Sequence, residues 1–181
     1  MKLNTIYSYF CLITILCVSC VEDIDLNQTE DIVLSPVVEL DLIFFNLDET
    51  DLLDQDTGTV FSAIQDTTRL EFLDDSFIRD NLIRVDLVFE FENSFNQSFS
   101  GEAVFLNESN DPQYTIPIEV ASSQGNTEST IITQTLTQED ILLLNNSNQL
   151  AISLQLNENG APVLGAIALQ SKATYYLVFN E

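Results

Sequence analysis

"LIRVDLVFEFEN", residues 82–93, decides how this chain is read. Ile83, Val85, Leu87, Phe89 and Phe91 alternate with Arg84, Asp86, Val88, Glu90 and Glu92. Successive side chains of a strand point to opposite faces, so one face here is wholly apolar and the other mostly charged. A helix would spread the same five apolar residues around its cylinder and bury none of them well. The stretch predicts a half-buried strand of an antiparallel sheet, with one face toward a core and one toward water.

Outward from it, further stretches carry the same β-branched and aromatic signature. They are "VVELDLIFF" (37–45), "TTRLEFL" (67–73), "SFSGEAVFLN" (98–107), "QYTIPIEV" (113–120), "STIITQTL" (129–136), "QLAISLQLN" (149–157) and "KATYYLVFN" (172–180). Turn residues in "NESNDP", "SSQGN" and "NENGAP" separate them. "DDSFIRDN" (74–81) reads as a turn or short helix. One short helix is expected at "TQEDILLLNN" (137–146), where Thr137 can cap and Asp140 stands at the capping-box spacing. Seven to eight strands at this spacing predict an all-β, antiparallel, immunoglobulin-like β-sandwich. No repeat of solenoid or propeller period is present.

The chain opens differently. "MKLNTIYSYFCLITILCVS" has one basic residue, Lys2, an apolar run from Ile6 to Val18 and a small residue, Ser19. That is the layout of a secretory signal, and the apolar run is too short for a membrane span. Cys20 follows at once. Cleavage before it would leave a single cysteine, so no intramolecular disulfide could form. The expected division is a signal peptide at 1–19, an acidic tether at 20–36 closed by Pro36, and one β-sandwich domain at 37–181.

Composition excludes several functions. The chain has 29 acidic and 5 basic residues, a formal net charge of −24. Nucleic acid is excluded as a partner, because phosphate contacts need clustered Lys and Arg. Disorder, the other usual meaning of high net charge, conflicts with the alternating apolar runs. The chain has no histidine, which removes the usual general base, the Ser-His-Asp arrangement and the commonest transition-metal ligand. No phosphate-cradling glycine loop is present, and with no Trp a common sugar-stacking platform is missing. No enzyme activity and no cofactor are expected.

Two clusters remain. "DETDLLDQDTG" (48–58) carries Asp51, Asp54 and Asp56 in partial likeness to the start of a calcium loop, which needs closely spaced oxygen ligands. Gly58 stands where a third acid belongs and Gln65 where the closing acid belongs, so an EF-hand is ruled out. The plain alternative is a solvated acidic loop. Arg69, Arg79 and Arg84 fall within sixteen positions, amid Glu71, Asp74, Asp75, Asp80 and Asp86. They read as local salt bridges or, alternatively, as a clamp for an anion. Tyr175 and Tyr176 must face opposite sides of the last strand.

Val18, Ser19 and Cys20 resemble the lipobox of bacterial lipoproteins, although Cys17 stands where Leu is usual. The resemblance implies that Cys20 is acylated and becomes the mature N-terminus. Glu22, Asp23 and Asp25 resemble the surface-export signal of Bacteroidota lipoproteins, which implies display on the outer membrane. With "LDLIFF" (40–45), "DTTRLEFLDD" (66–75) and "LQSKATYYL" (169–177), the whole resembles the small acidic β lipoproteins of flavobacterial genomes. The expected function is a non-enzymatic, lipid-anchored accessory or structural module of the cell envelope. Its expected partners are the membrane, through the N-terminal lipid, and another envelope protein. The alternative is an extracellular module binding a glycan, a peptide or calcium.

Overall fold

A computed structural model of the chain describes residues 33–179, apart from 55, 58 and 145. Eight strands form in order: β1 (Val37–Asp48), β2 (Ala63–Arg69), β3 (Leu82–Asn93), β4 (Ser98–Asn107), β5 (Pro112–Val120), β6 (Glu128–Leu136), β7 (Ser147–Asn157) and β8 (Ala166–Leu177). Two four-stranded sheets result, with orders β1-β8-β3-β6 and β2-β7-β4-β5. Every neighbouring pair is antiparallel. One apolar core, drawn from both sheets, has Phe89, Phe91, Phe95 and Phe99 fully buried at its centre. This is the expected β-sandwich.

The connectivity is not immunoglobulin-like. In that fold the first two strands lie in one sheet. Here β1 and β2 lie in different sheets, and only β4–β5 is a hairpin within a sheet. Every other connection crosses the sandwich, giving the jelly-roll arrangement of eight strands in two sheets. Alternation along a strand says which residues face inward but not which strand lies beside it, so the expected strand count was right and the connectivity was not.

Three boundaries differ from expectation for local reasons. β2 ends at Arg69, and Glu71–Asp74 forms a 3₁₀ turn, not the tail of a strand. Leu70 and Leu73 are both buried, a spacing of three that suits that turn and would put them on opposite faces of a strand. β8 begins six residues before the expected start, at "AIALQS" (166–171), where Ile167 and Leu169 alternate with Ala and Gln, residues of little strand preference. At the start of β3 the pairing to β8 shifts register between Leu82 and Arg84. Leu82 is buried there, and Ile83, expected inside, is 44% exposed.

Two short helices carry the chain between sheets: α1 (Ser76–Asn81) before β3 and α2 (Gln138–Leu144) before β7. Asp75 caps α1 by accepting from the Phe77 N–H at 2.8 Å. At α2, Asp140 Oδ2 accepts from the Thr137 N–H at 3.0 Å, the expected reach-back contact. The β3–β4 corner is closed by Asn93, fully buried at the end of the strand. Its Nδ2 donates to the carbonyls of Gln97 and Ala121 and its Oδ1 accepts from the Phe95 N–H, so three backbone groups are satisfied at once. Among the described residues, no helix is long and apolar enough to cross a membrane.

Candidate functional site

Cys20, Glu22, Asp23 and Asp25 lie outside the described residues. The acidic loop lies within them. Leu52 is buried and Leu53 forms an isolated bridge with Val60, which pins the loop to the sandwich. Three of its carboxylates are turned on their own stretch of backbone. Asp48 Oδ1 accepts from the Thr50 hydroxyl and N–H, which lowers its pKa. Asp51 Oδ2 accepts from the Asp48 N–H at 3.0 Å. Asp54 Oδ1 accepts from the Thr57 and Asp56 N–H groups, and these bonds lower its pKa. These are the side-chain-closed turns that Asp favours. Among the described residues, no three His, Cys, Asp or Glu side chains are grouped to hold a metal ion.

A second place is the outer face of the first sheet, at the edge strand β1. The pairing of β1 with β8 runs Asp41 to Lys172 and resumes at Phe44 with Gln170, so Leu42 and Ile43 together oppose Ser171. That is a β-bulge, and it changes which residues face inward. Val38 and Leu42 pack on the core before it, and Ile43, Phe45 and Leu47 after it. An unbulged strand would point Phe44 inward with Val38, Leu40 and Leu42. The bulge turns it out, 79% exposed on the sheet face.

Ser171 holds the bulge. It is buried, at a position where its neighbours in the same row are Leu169 and Ala173. Its Oγ accepts from the Ile43 N–H at 3.0 Å and donates to the Ile43 carbonyl at 2.7 Å. One hydroxyl thus replaces the ladder partners that the extra residue lost. Beside Phe44 lies a depression of about 500 Å³, lined by Asp41, Phe44, Phe45, Asn46, Ala168 and Gln170 among others. Across the sheet, Phe44, Gln170, Glu90 and Ile131 form one transverse row. Ile131, at the far edge, is 59% exposed. The row has apolar residues at its two rims and polar residues between.

Sequence reasoning missed both Phe44 and Ser171, yet each left a signal. "IFF" (43–45) cannot alternate, so one of its members must turn outward. A serine in the apolar row Ile167, Leu169, Ala173, Tyr175 marks a backbone group that needs a partner.

The three arginines divide. Arg84 is ion-paired with Asp86 and lies over the Tyr176 ring, 4.6 Å from its centre. The arginine, with help from the Thr135 hydroxyl, holds the Asp86 carboxyl below its ordinary pKa. Tyr175 faces the core, where burial pushes its pKa up to about 12. Arg69 binds Asp74 Oδ2 through Nε at 3.1 Å and Nη2 at 2.7 Å. Arg79 instead donates from Nη1 to the carbonyls of Leu73 at 2.6 Å and Asp74 at 3.2 Å. Arg69 and Arg79 meet in a polar cleft of about 580 Å³ at one end of the second sheet, with Asp74, Glu108, Ser147 and Asn148. Local pairing accounts for Arg69 and Arg84.

No family model matches the chain, and no curated protein does. Solved structures match only at a distance. A protein of Parabacteroides distasonis described as secreted is 18% identical over 62% of this chain and 38% of its own, at a TM-score of 0.43. An infectious bursal disease virus structure (Gx strain) is 6% identical over 82% of this chain and 33% of its own, at 0.45. Desmodium yellow mottle tymovirus is 9% identical over 82% of this chain and 91% of its own, at 0.35. The chain thus spans about a third of the length of the first two. Likenesses this remote say nothing of function.

Proposed function

We propose that this protein is a non-enzymatic module of the cell envelope, held at the outer-membrane surface by lipid on Cys20, that docks a partner protein through the outer face of its first sheet. The observation that carries the reading is Phe44. A large aromatic side chain in mid-strand, 79% exposed and beside an apolar depression, is the pattern of an interface anchor. Its surroundings are charged: Glu39, Asp41 and Glu90 lie on the same outer face, with Lys172 paired to Glu39 at 2.9 Å. A fitting partner brings an apolar side chain for the depression and Lys or Arg around it, since opposite potentials steer encounter and exclude wrong partners. The absence of histidine from the chain supports the non-enzymatic part of the reading.

The test places a photo-crosslinking phenylalanine analogue at position 44 in cells that display the full chain. One discrete adduct with an envelope protein is expected, and Phe44→Asp should abolish co-purification of that same protein while the melting temperature holds. Absence of an adduct, or co-purification that survives Phe44→Asp, overturns the docking face. The anchor is tested separately. Cys20→Ala should lose palmitate label and leave the membrane fraction, because burial of acyl CH₂ groups contributes about 0.8 kcal/mol each and little else would retain so acidic a chain. Retention of label and membrane fractionation would refute it.

A further inference from the structure

A second exposed apolar surface lies where the described chain enters the sandwich. Leu34 makes an isolated antiparallel bridge with Phe179, in which each N–H donates to the other's carbonyl, at 3.3 and 2.8 Å. The Phe179 ring in turn stacks on Phe77 of α1, with ring centres 4.8 Å apart and planes within 10° of parallel. Phe179 is half-buried, but Leu34 and Phe77 are 59% and 58% exposed, and Val33 beside them is 58% exposed. Three segments far apart in sequence thus meet in one apolar patch. The fold does not call for it, since α1 packs on the core through Ile78 and not through Phe77. None of these residues lines the depression beside Phe44. A contiguous apolar patch on so acidic a chain marks a contact surface.

The place of the patch along the chain favours a lipid surface as its occupant, an argument that rests on the lipid at Cys20. Cys20 is thirteen residues before Val33, at most about 45 Å of extended chain. Of the whole sandwich, this point is tied to the bilayer by the shortest length of chain. A tether that short keeps the patch at high effective concentration near the surface, so a contact too weak to retain a free domain is still populated. A partner protein would have to reach the patch in the gap between domain and membrane. Asp75 and Asp80 stand on either side of Phe77 in sequence, so an anionic surface would repel this end and a zwitterionic one would not. We propose that Leu34, Phe77 and Phe179 form a membrane-contact patch, which seats this end of the sandwich at the headgroup boundary of a zwitterionic phospholipid surface. Aromatic and aliphatic side chains are favoured at that boundary. Seated this way, β1 begins at the membrane and runs away from it, and the face that carries Phe44 stays open to a partner.

The chain contains no tryptophan, so a single introduced one reports its own surroundings. The full chain, acylated in its host, is reconstituted in phosphatidylcholine vesicles with and without brominated acyl chains. Phe77→Trp keeps an aromatic ring on Phe179 and should melt with the parent chain. Its emission should move to shorter wavelength on reconstitution and be quenched by the brominated lipid. Phe61→Trp is the control. Phe61 is also exposed, but it precedes β2, whose other end leads to α1, so it stands at the opposite end of the sandwich. Its emission should be neither shifted nor quenched. Adding Leu34→Asp to Phe77→Trp should abolish the quenching while the protein still floats with the vesicles. Val33→Trp repeats the measurement if Phe77→Trp lowers the melting temperature. Loss of flotation in the parent chain would overturn the anchor and this inference together. Flotation without quenching at the patch, equal quenching at positions 77 and 61, quenching that survives Leu34→Asp, or stronger quenching on phosphatidylglycerol would overturn the membrane contact alone.

Discussion

β3 and β1 are strands of equal length in the same sheet, both rich in apolar residues, and they teach opposite lessons. β3 is paired on both sides, with β8 and β6, so its pleat is held and from Val85 onward its side chains alternate without interruption. Val85, Leu87, Phe89 and Phe91 are all buried. β1 is an edge strand, paired only with β8. With one free side it can absorb an extra residue, and the bulge at Leu42 and Ile43 turns Phe44 from the core to the surface. Phe89 and Phe44 are thus the same residue type in neighbouring contexts, one fully buried and one 79% exposed.

The largest effect should come from the regular strand. Phe89→Ala deletes a fully buried ring at the centre of the sandwich and leaves a cavity, at a cost of about 3–5 kcal/mol. In thermal melts that is a fall on the order of 10 °C. Glu90→Ala, one residue on and exposed, should change stability by less than about 0.5 kcal/mol. Similar melts for the two would mean that the sides of β3 are misassigned.

The bulge itself should be worth less. Ser171→Ala removes one hydroxyl and leaves both the Ile43 N–H and its carbonyl without their partner, at a cost of about 1–3 kcal/mol. Ser129, exposed on β6, is the control, and its replacement by Ala should stay within about 0.5 kcal/mol. If the two serine variants melt together, the Ser171 hydroxyl is not what closes the bulge.

This contrast also explains what could be read in advance. Strand positions were legible wherever the strand's own side chains alternate, at sheet edges as well as in the middle. β4 has the expected bounds, 98–107, and β5, β6 and β7 differ by at most two residues at either end. β8 was half hidden because Ile167 and Leu169 alternate there only with Ala and Gln, and the segment takes its strand form from β1 and β3 on either side. Sheet order was not legible, since crossovers between sheets depend on contacts far apart in sequence. Of the sites, the arginine cluster was visible as a cluster. The binding of the Leu73 and Asp74 carbonyls by Arg79 was not, because it depends on the 3₁₀ turn at Glu71–Asp74, where the sequence suggests the tail of a strand. Gly101 was invisible for a similar reason. Its Cβ would meet the Ser153 carbonyl on β7 at 1.9 Å, a closeness that only the pairing of two distant strands creates.

The smallest expected effect is the sharpest test of the bulge. Phe44 and Phe45 are adjacent aromatic residues, and only the register decides which one is inside. With the bulge in place, Phe45 packs against the core and Phe44 stands in solvent. Phe45→Ala should then cost about 1–3 kcal/mol, less than a fully buried ring because the position is half-covered at a sheet edge. Phe44→Ala should cost under about 0.5 kcal/mol, since its ring loses little contact on truncation. Without the bulge the order would reverse, because Phe44 would continue the row of Val38 and Leu42 and Phe45 would face out. Denaturant melts of the two variants decide between these registers, and losses of equal size would contradict both. A near-zero cost at Phe44 would also bear on function. An aromatic ring that contributes nothing to folding, yet is held outward by a buried serine, would fit the docking face proposed above.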